Sequence, residues 1–243
     1  MPDLSTPLSP LAVRAYAPPL DPLLWVPLLL AVAAVALLQG LGLDLALADR
    51  LYAWEGGRWA FEKAWWSVHL FHRGGRDLVA AGWLAVLGLR VAAQWSPRLA
   101  PWRRALDYLL VASLAGPLLV AWLKHWTDVA CPVELSRYGG SHPYVELLQS
   151  RPPGYGAGRC FPAGHASAGY GWLALFFALA AAAPRWRHAG LALGLTLGVL
   201  FGMVQQLRGQ HFLSHDVAAL AVCWCSARLL QRWLLPEAGA PQQ

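Results

Sequence analysis

The sequence predicts an all-α integral membrane protein: six transmembrane helices in a bundle, with an extramembrane loop and an interfacial helix. The first observation is composition, since 57% of the 243 residues are hydrophobic and only 13% are charged, against about 25% in an ordinary soluble domain. The second is that apolar stretches of about 20 residues recur, which is the length that crosses a bilayer. This composition argues against a disordered chain and a soluble nucleic-acid binder.

Six stretches have the length and apolarity of a membrane span. They are residues 23–43, 78–95, 105–123, 166–183, 189–207 and 217–235. We therefore expect an N-terminal tail over 1–22, a six-helix membrane domain over 23–235 and a C-terminal tail over 236–243. Six spans would place both termini on the same side of the membrane.

Lys and Arg in the short connections indicate the orientation, because cytoplasmic loops are enriched in them. The connections 96–104 and 184–188 carry arginines and no acid. The net charge of +6 is explained by this bias without nucleic acid. We expect cytoplasmic termini in a bacterial-type inner membrane, with the first, third and fifth connections on the outer, periplasmic face. Residues 1–22 lack a cleavable-signal pattern, so the first span is expected to be a retained signal anchor.

The first outward connection, 44–77, is crowded with aromatic residues between 51 and 71. Trp59, Trp66 and Leu70 would share one stripe of a helix, which favours an interfacial helix at the headgroup level. A packed cap over the bundle explains the same residues equally well.

Three polar patches lie at the outer ends of predicted helices, so the topology places them on one membrane face. Ionisable residues at membrane depth are costly and are functional candidates. The patches are 124–132 (KHWTDVACP), 158–167 (GRCFPAGHAS) and 208–216 (RGQHFLSHD).

The residue types in these patches suit phosphoryl transfer from an anionic ester. Lys124 and Arg208 provide positive charge for phosphate oxygens, and the helix that begins at 164–165 has backbone N–H groups for an anion. Two histidines can divide the work, one attacking phosphorus and the other protonating the leaving oxygen. A nucleophilic histidine needs an acceptor for its second ring nitrogen.

Together the patches resemble the three signatures of the type 2 phosphatidic acid phosphatase family, which also includes vanadium haloperoxidases and glucose-6-phosphatase. Those signatures are Lys-x6-Arg-Pro, Pro-Ser-Gly-His and Ser-Arg-x5-His-x3-Asp, and the resemblance covers about 23–235. It implies a six-helix phosphatase that requires no metal or other cofactor. His211 would be the nucleophile that forms a phosphohistidine, and His165 the general acid. The implied phosphate-binding groups are Lys124, Arg208 and the Ala163–Gly164 backbone.

The patches also depart from the family pattern. Cys131 stands at the Arg of the first signature and Ala163 at the Ser of the second, and Arg208 is three residues before the third-signature histidine instead of six. Either Arg159 or Arg137 is a candidate to replace the missing cation. Either His215 or Asp216 is a candidate to orient His211, with a slight preference for Asp216 because a carboxylate better stabilises an imidazolium.

The four cysteines fall into two pairs. Cys131 and Cys160 are both predicted on the outer face, where an oxidising environment permits a disulfide between them; two free thiols are the alternative. Cys223 and Cys225 lie in the sixth span and are expected to be small apolar fillers. No four-ligand Cys/His spacing indicates a zinc site.

We therefore expect a membrane enzyme that hydrolyses a lipid phosphomonoester or diphosphate reaching the site from the bilayer. Candidate substrates are phosphatidic acid, phosphatidylglycerol phosphate, prenyl diphosphates and lipid A phosphates. A phosphotransferase of the same mechanism, and a non-catalytic membrane scaffold or transporter on the same fold, are the alternatives.

Overall fold

The computed structural model describes residues 21–156 and 158–235, and within them the chain is all-helical, with 74% helix and no strand. This confirms the predicted all-α class. The longer helices are α1 (Pro22–Gly40), α2 (Leu43–Trp54), α3 (Gly74–Ala92), α4 (Arg103–Thr127), α5 (Gly164–Tyr170), α6 (Ala174–Ala182), α7 (Arg187–Leu207) and α8 (Leu213–Leu234). A π-helical segment, Trp66–Arg73, runs directly into α3.

Five helical stretches of the described residues are long and apolar enough to cross a membrane. They are Pro22–Gly40, Ala100–Glu134, Gly164–Ala182, Pro184–Leu207 and Leu213–Leu234. Helix α3, the predicted second span, is not among them, because Arg76, Asp77 and Arg90 lower its hydropathy. Arg90 pairs with Asp107 of α4 at 2.6 Å. Six spans therefore stay a prediction, whereas the membrane character of the chain is clear.

Close helix packing depends on small residues, as is usual between membrane helices. Helix α4 packs against α8, and a Cβ added at Gly116 would come within 2.7 Å of the Cα of Cys223. Helix α5 packs against α7 in the same way at Gly169. Tyr108 is fully buried between helices and its hydroxyl donates to the Ala227 carbonyl at 2.8 Å. These contacts hold α4, α5, α7 and α8 in a compact group.

Two helix ends extend beyond the predicted spans and carry polar residues into the protein interior. Helix α4 continues to Thr127, so Lys124 lies in its last turn, and α8 begins at Leu213 instead of 217. His215 and Asp216 are therefore buried in the first turn of α8. The predicted spans end at the last apolar residue and therefore miss these helical turns. The polar side chains in the turns are tolerated because they face other parts of the protein.

The connection over residues 44–77 is not the single helix over 51–71 that its aromatic residues suggested. Residues 55–64 form turns between α2 and the π-helical segment, so the predicted stripe with Trp59 does not form. Trp59 is instead buried against Tyr52 and Tyr138, with ring centroids 5.3 Å from each. This part of the connection is a packed cap.

The cap also holds the third connection. Arg137 forms a two-pronged ion pair with Asp49 of α2 at 2.6–2.7 Å, and the Tyr138 hydroxyl donates to the same carboxylate at 2.9 Å. Arg151 donates to the carbonyls of Thr127 and Asp128 at 3.0 and 2.9 Å. Those carbonyls at the end of α4 would otherwise need another donor. The long loop is thus docked at both α2 and α4.

Candidate active site

Backbone hydrogen bonds bring the three polar patches together at one end of the bundle. The Ala163 N–H donates to the His215 carbonyl at 3.0 Å, which joins the start of α5 to α8. The Cys160 N–H donates to the Val129 carbonyl at 2.9 Å, and the Val133 N–H donates to the Gly209 carbonyl at 2.8 Å. All three patches therefore line one site.

A disulfide closes the loop between the first two patches. Cys131 and Cys160, the pair for which the sequence predicts a disulfide, are bonded across a sequence separation of 29, with their Cα atoms 5.2 Å apart. The ligand atoms of these cysteines and of Glu134 lie within 4.8 Å of one another. Because the two sulfurs are bonded to each other, they offer no thiolates to a metal ion.

His211 lies just before α8 and is only 7% exposed. Burial lowers its pKa well below the usual value, and the nearby His215 and Lys124 lower it further. The Cys160 backbone opposes this effect by hydrogen bonding. A neutral imidazole has a free lone pair, which a nucleophile requires.

Lys124 reaches the start of α5 from the last turn of α4. A Cβ added at Gly164 would lie 3.1 Å from the lysine Nζ. The glycine thus leaves room for an ammonium group beside the first backbone N–H groups of α5. Since Lys124 also acts on the pKa of His211, positive charge and an imidazole share the site.

His165 lies on the other side of the site, in the first turn of α5. Its Nε2 donates to the Phe71 carbonyl at 3.2 Å, and its ring lies 4.7 Å from the ring of His72. His72 accepts a hydrogen bond from Gln205 at 3.2 Å. Burial, reinforced by Arg208, lowers the pKa of His72.

Sequence reasoning missed His72 and Gln205 because neither lies in a predicted patch. His72 belongs to the first connection, whose fold against the site was not predictable from its aromatic pattern. Gln205 stands six residues before His211, where the third signature of the family has an arginine.

Arg208 takes part in the same group. Its Nη1 donates to the Gln205 side chain at 2.8 Å and its Nε donates to the Glu62 carbonyl at 3.1 Å. Partial burial lowers its pKa from the usual range. Gly209, with φ of +64°, makes the turn after it, and a Cβ there would lie 2.5 Å from the Trp59 indole. The cap thereby fixes the chain next to Arg208.

Asp216, the slightly preferred candidate for orienting His211, makes no hydrogen bond to it within the described part of the chain. The Asp216 carboxylate accepts from Gln206 Nε2 at 2.5 Å, and its other oxygen is buried without a hydrogen-bond partner among the described residues. His215 is the residue that faces His211, with the two Nδ1 atoms 3.5 Å apart. The rotation of α8 directs His215 toward His211, which precedes the helix, whereas Asp216 faces Gln206 and Gly202 of α7.

Neither arginine suggested as a replacement for the missing cation joins the buried group. Arg137 is held by Asp49 at the surface, and Arg159 is exposed between buried neighbours. The positive charges that the structure places around the histidines are those of Lys124 and Arg208.

An apolar cavity of about 370 Å³ lies between α1 and α8. Its lining includes Val32, Leu148, Ala218 and Phe161. The Phe161 ring also contacts the His215 ring, with centroids 5.3 Å apart. Phe161 therefore lies between this cavity and His215.

The fold and the site together describe a helical membrane protein with paired histidines and basic residues at one end of its bundle. Residues 105–237 match the PAP2 superfamily, which is more than half of the chain, so the protein belongs to this superfamily. No curated protein and no solved structure matches it significantly. Membership indicates a phosphatase-type enzyme, and the apolar helices indicate association with a membrane.

Proposed function

We propose that this protein is a lipid phosphate phosphatase that works through a phosphohistidine on His211. The observation that carries the proposal is the convergence of His165, His211 and Lys124 at the end of a membrane bundle, on residues far apart in the chain. The neighbouring apolar cavity supports a lipid substrate, because a hydrocarbon chain could occupy it while the phosphate contacts the histidines.

In the first half-reaction, His211 Nε2 attacks phosphorus, since Nδ1 faces His215. A P–N bond forms as the P–O bond to the leaving group breaks, and His165 gives a proton to the leaving oxygen. The dianionic phosphate favours the protonated form of His165 needed for this step. Because His165 Nε2 donates to Phe71, Nδ1 is the nitrogen that transfers the proton.

In the second half-reaction, water attacks phosphorus and His165 accepts its proton. The P–N bond breaks, inorganic phosphate leaves and His211 returns to its neutral form. Lys124, Arg208 and the Gly164 N–H would hold the phosphate oxygens in both steps, since the Ala163 N–H already donates to the His215 carbonyl. The Cys131–Cys160 disulfide would hold the loop where the usual arginine is missing.

The substrate would come from the outer leaflet of a bacterial inner membrane. Its tail would lie in the cavity between α1 and α8, and its headgroup would pass Phe161 to reach His211. This path needs no exposure of the hydrocarbon chain to water, which favours a lipid over a water-soluble phosphate ester.

The test is phosphate release from a panel of lipid phosphates in detergent micelles containing EDTA. We expect the parent to release phosphate and His211→Ala to lose the activity. His188→Ala is a matched control, since His188 is exposed at the start of α7, away from the site. Equal release by the parent and His211→Ala would refute the nucleophile, and loss of parent activity in EDTA would refute the metal-independent reaction. Phosphorylation of His211 followed by transfer to a second lipid would indicate a phosphotransferase.

A further inference from the structure

Asp44 of α2 is a buried acid that the proposed reaction does not yet use. Asp44 is only 1% exposed, and its Oδ1 accepts a hydrogen bond from the Ser214 N–H at 3.0 Å. Its other oxygen, Oδ2, is buried and has no hydrogen-bond partner among the described residues. An unpaired buried carboxylate oxygen is costly, so such an atom calls for a partner.

Asp44 lines a small cavity behind the proposed nucleophile. His211 and Gln206 line the same cavity, and apolar side chains of α2 and the start of α8 complete it. The volume is about 10 Å³, and a cavity of roughly 10–15 Å³ with two to four polar partners can hold one water molecule. The carboxylate, the imidazole and the carboxamide supply such partners.

His211 needs a stronger acceptor than the one that faces it. The 3.5 Å between its Nδ1 and that of His215 exceeds the usual hydrogen-bond range of about 2.7–3.2 Å. Neither a neutral imidazole nor the Cys160 backbone, which also acts on the ring, can balance the positive charge that His211 gains when it binds phosphorus. The carboxylate of Asp216, the residue after His215, is already bonded to Gln206.

We propose that Asp44 positions His211 through one water molecule bound in this cavity. Asp44 would thus supply a carboxylate for His211, which the acid of the patch 208–216, Asp216, does not contact. It comes from a helix before residue 105, where the match to the superfamily begins. Burial raises the pKa of Asp44, and hydrogen bonding by the Ser214 side chain and by the backbone of Leu213 and Ser214 partly opposes this effect. This role rests on the proposed phosphatase function.

The test compares phosphate release by the parent, Asp44→Asn and Asp107→Asn in lipid phosphate micelles. The Asp44→Asn substitution keeps an oxygen for the Ser214 N–H while it removes the negative charge. We expect kcat to fall roughly 10–100-fold with KM nearly unchanged, as is typical when a second group that orients a reactive side chain is lost. Asp107→Asn changes an acid near the start of α4, at the opposite end of that helix from Lys124, and should leave kcat unchanged.

The outcomes separate the two proposals. If the parent is active and Asp44→Asn is equally active, the role of Asp44 is overturned and the phosphatase function stands. A variant in which only KM changes leads to the same conclusion. A parent that hydrolyses no lipid phosphate refutes the function and this role with it. If Asp44→Asn does not fold, a high-resolution crystal structure of the parent decides. A water within hydrogen-bonding distance of Asp44 Oδ2 and His211 Nδ1 supports the proposal, and a cavity without such a water overturns it.

Discussion

Removing the Cys131–Cys160 disulfide should destabilise the protein and slow its reaction. The bond closes a loop with a sequence separation of 29. For a loop of this size, the lost conformational entropy of the unfolded chain corresponds to roughly 3–4 kcal/mol at 25 °C. In a protein of this length, 1 kcal/mol shifts Tm by about 2–4 °C. We therefore expect the double variant Cys131→Ser/Cys160→Ser to melt roughly 6–16 °C below the parent.

The structure also predicts an effect on activity. The Cys160 backbone interacts with His211, and the Cys160 sulfur lies 3.2 Å from the Gln210 carbonyl oxygen. Loosening the loop should therefore disorder the residue before the proposed nucleophile as well as the nucleophile itself. We expect kcat to fall in the double variant at a temperature where it remains folded.

Thermal unfolding in detergent, followed by tryptophan fluorescence, measures the first effect, and phosphate release at about 20 °C measures the second. Cys225→Ser is the matched control, because Cys225 is a free cysteine in α8. It should melt within about 2 °C of the parent. An unchanged Tm in the double variant would refute the entropy argument, and unchanged kcat would refute the link between the loop and His211.

Three further predictions test packing, protonation and loop docking. Gly202→Ala should lower the free energy of unfolding by about 1–3 kcal/mol in chemical denaturation, because its Cβ would lie 2.5 Å from the Asp216 carboxylate. Acidification should also destabilise the protein: the pKa of folded His211 lies below its unfolded value of about 6.5, so the unfolded state binds more protons. The contribution of neutral His211 to the free energy of unfolding is complete above about pH 6.5 and is lost as the pH falls toward the folded pKa. The His211→Gln variant should therefore lose less Tm than the parent between about pH 7.5 and 5. Arg151→Ala should speed proteolysis of the 128–163 loop, since it removes donors to several backbone carbonyls.

Each of these has a matched comparison. Gly88→Ala, where an added Cβ meets nothing within 4 Å, should not destabilise the protein, and equal effects at both glycines would refute the packing argument. Identical acid sensitivity of the parent and His211→Gln would contradict the assignment of proton uptake to His211. Arg159→Ala alters an exposed arginine of the same loop and should leave proteolysis unchanged; equal cleavage of both arginine variants would show that Arg151 does not hold the loop.

Much of the site was predictable because its residue types are scarce in an apolar chain. The ends of the hydrophobic runs carry Lys124, His165, Arg208 and His211. An ionisable side chain is energetically costly at membrane depth, so its presence there indicates a functional role. Their order along the chain and the alternation of loops across a membrane were enough to place them on one face. The pairing of Cys131 with Cys160 was predicted by the same topological argument.

Partners supplied by distant segments were not predictable. Whether His215 or Asp216 faces His211 depends on the rotation of α8 about its axis, which no local pattern specifies. His72 and Asp44 reach the site only because the first connection folds back over the bundle. Their neighbours in sequence are aromatic and aliphatic residues that serve equally well in a cap or at a membrane surface.

The amino-acid sequence alone determined that this is a helical membrane protein with histidines and basic residues gathered at one end, because hydrophobic length and the cost of buried charge are local properties of the chain. Only the tertiary structure decided which groups touch those histidines. Such contacts depend on helix rotation, on glycines that let helices approach and on the docking of long connections, and these are settled when all the segments pack together.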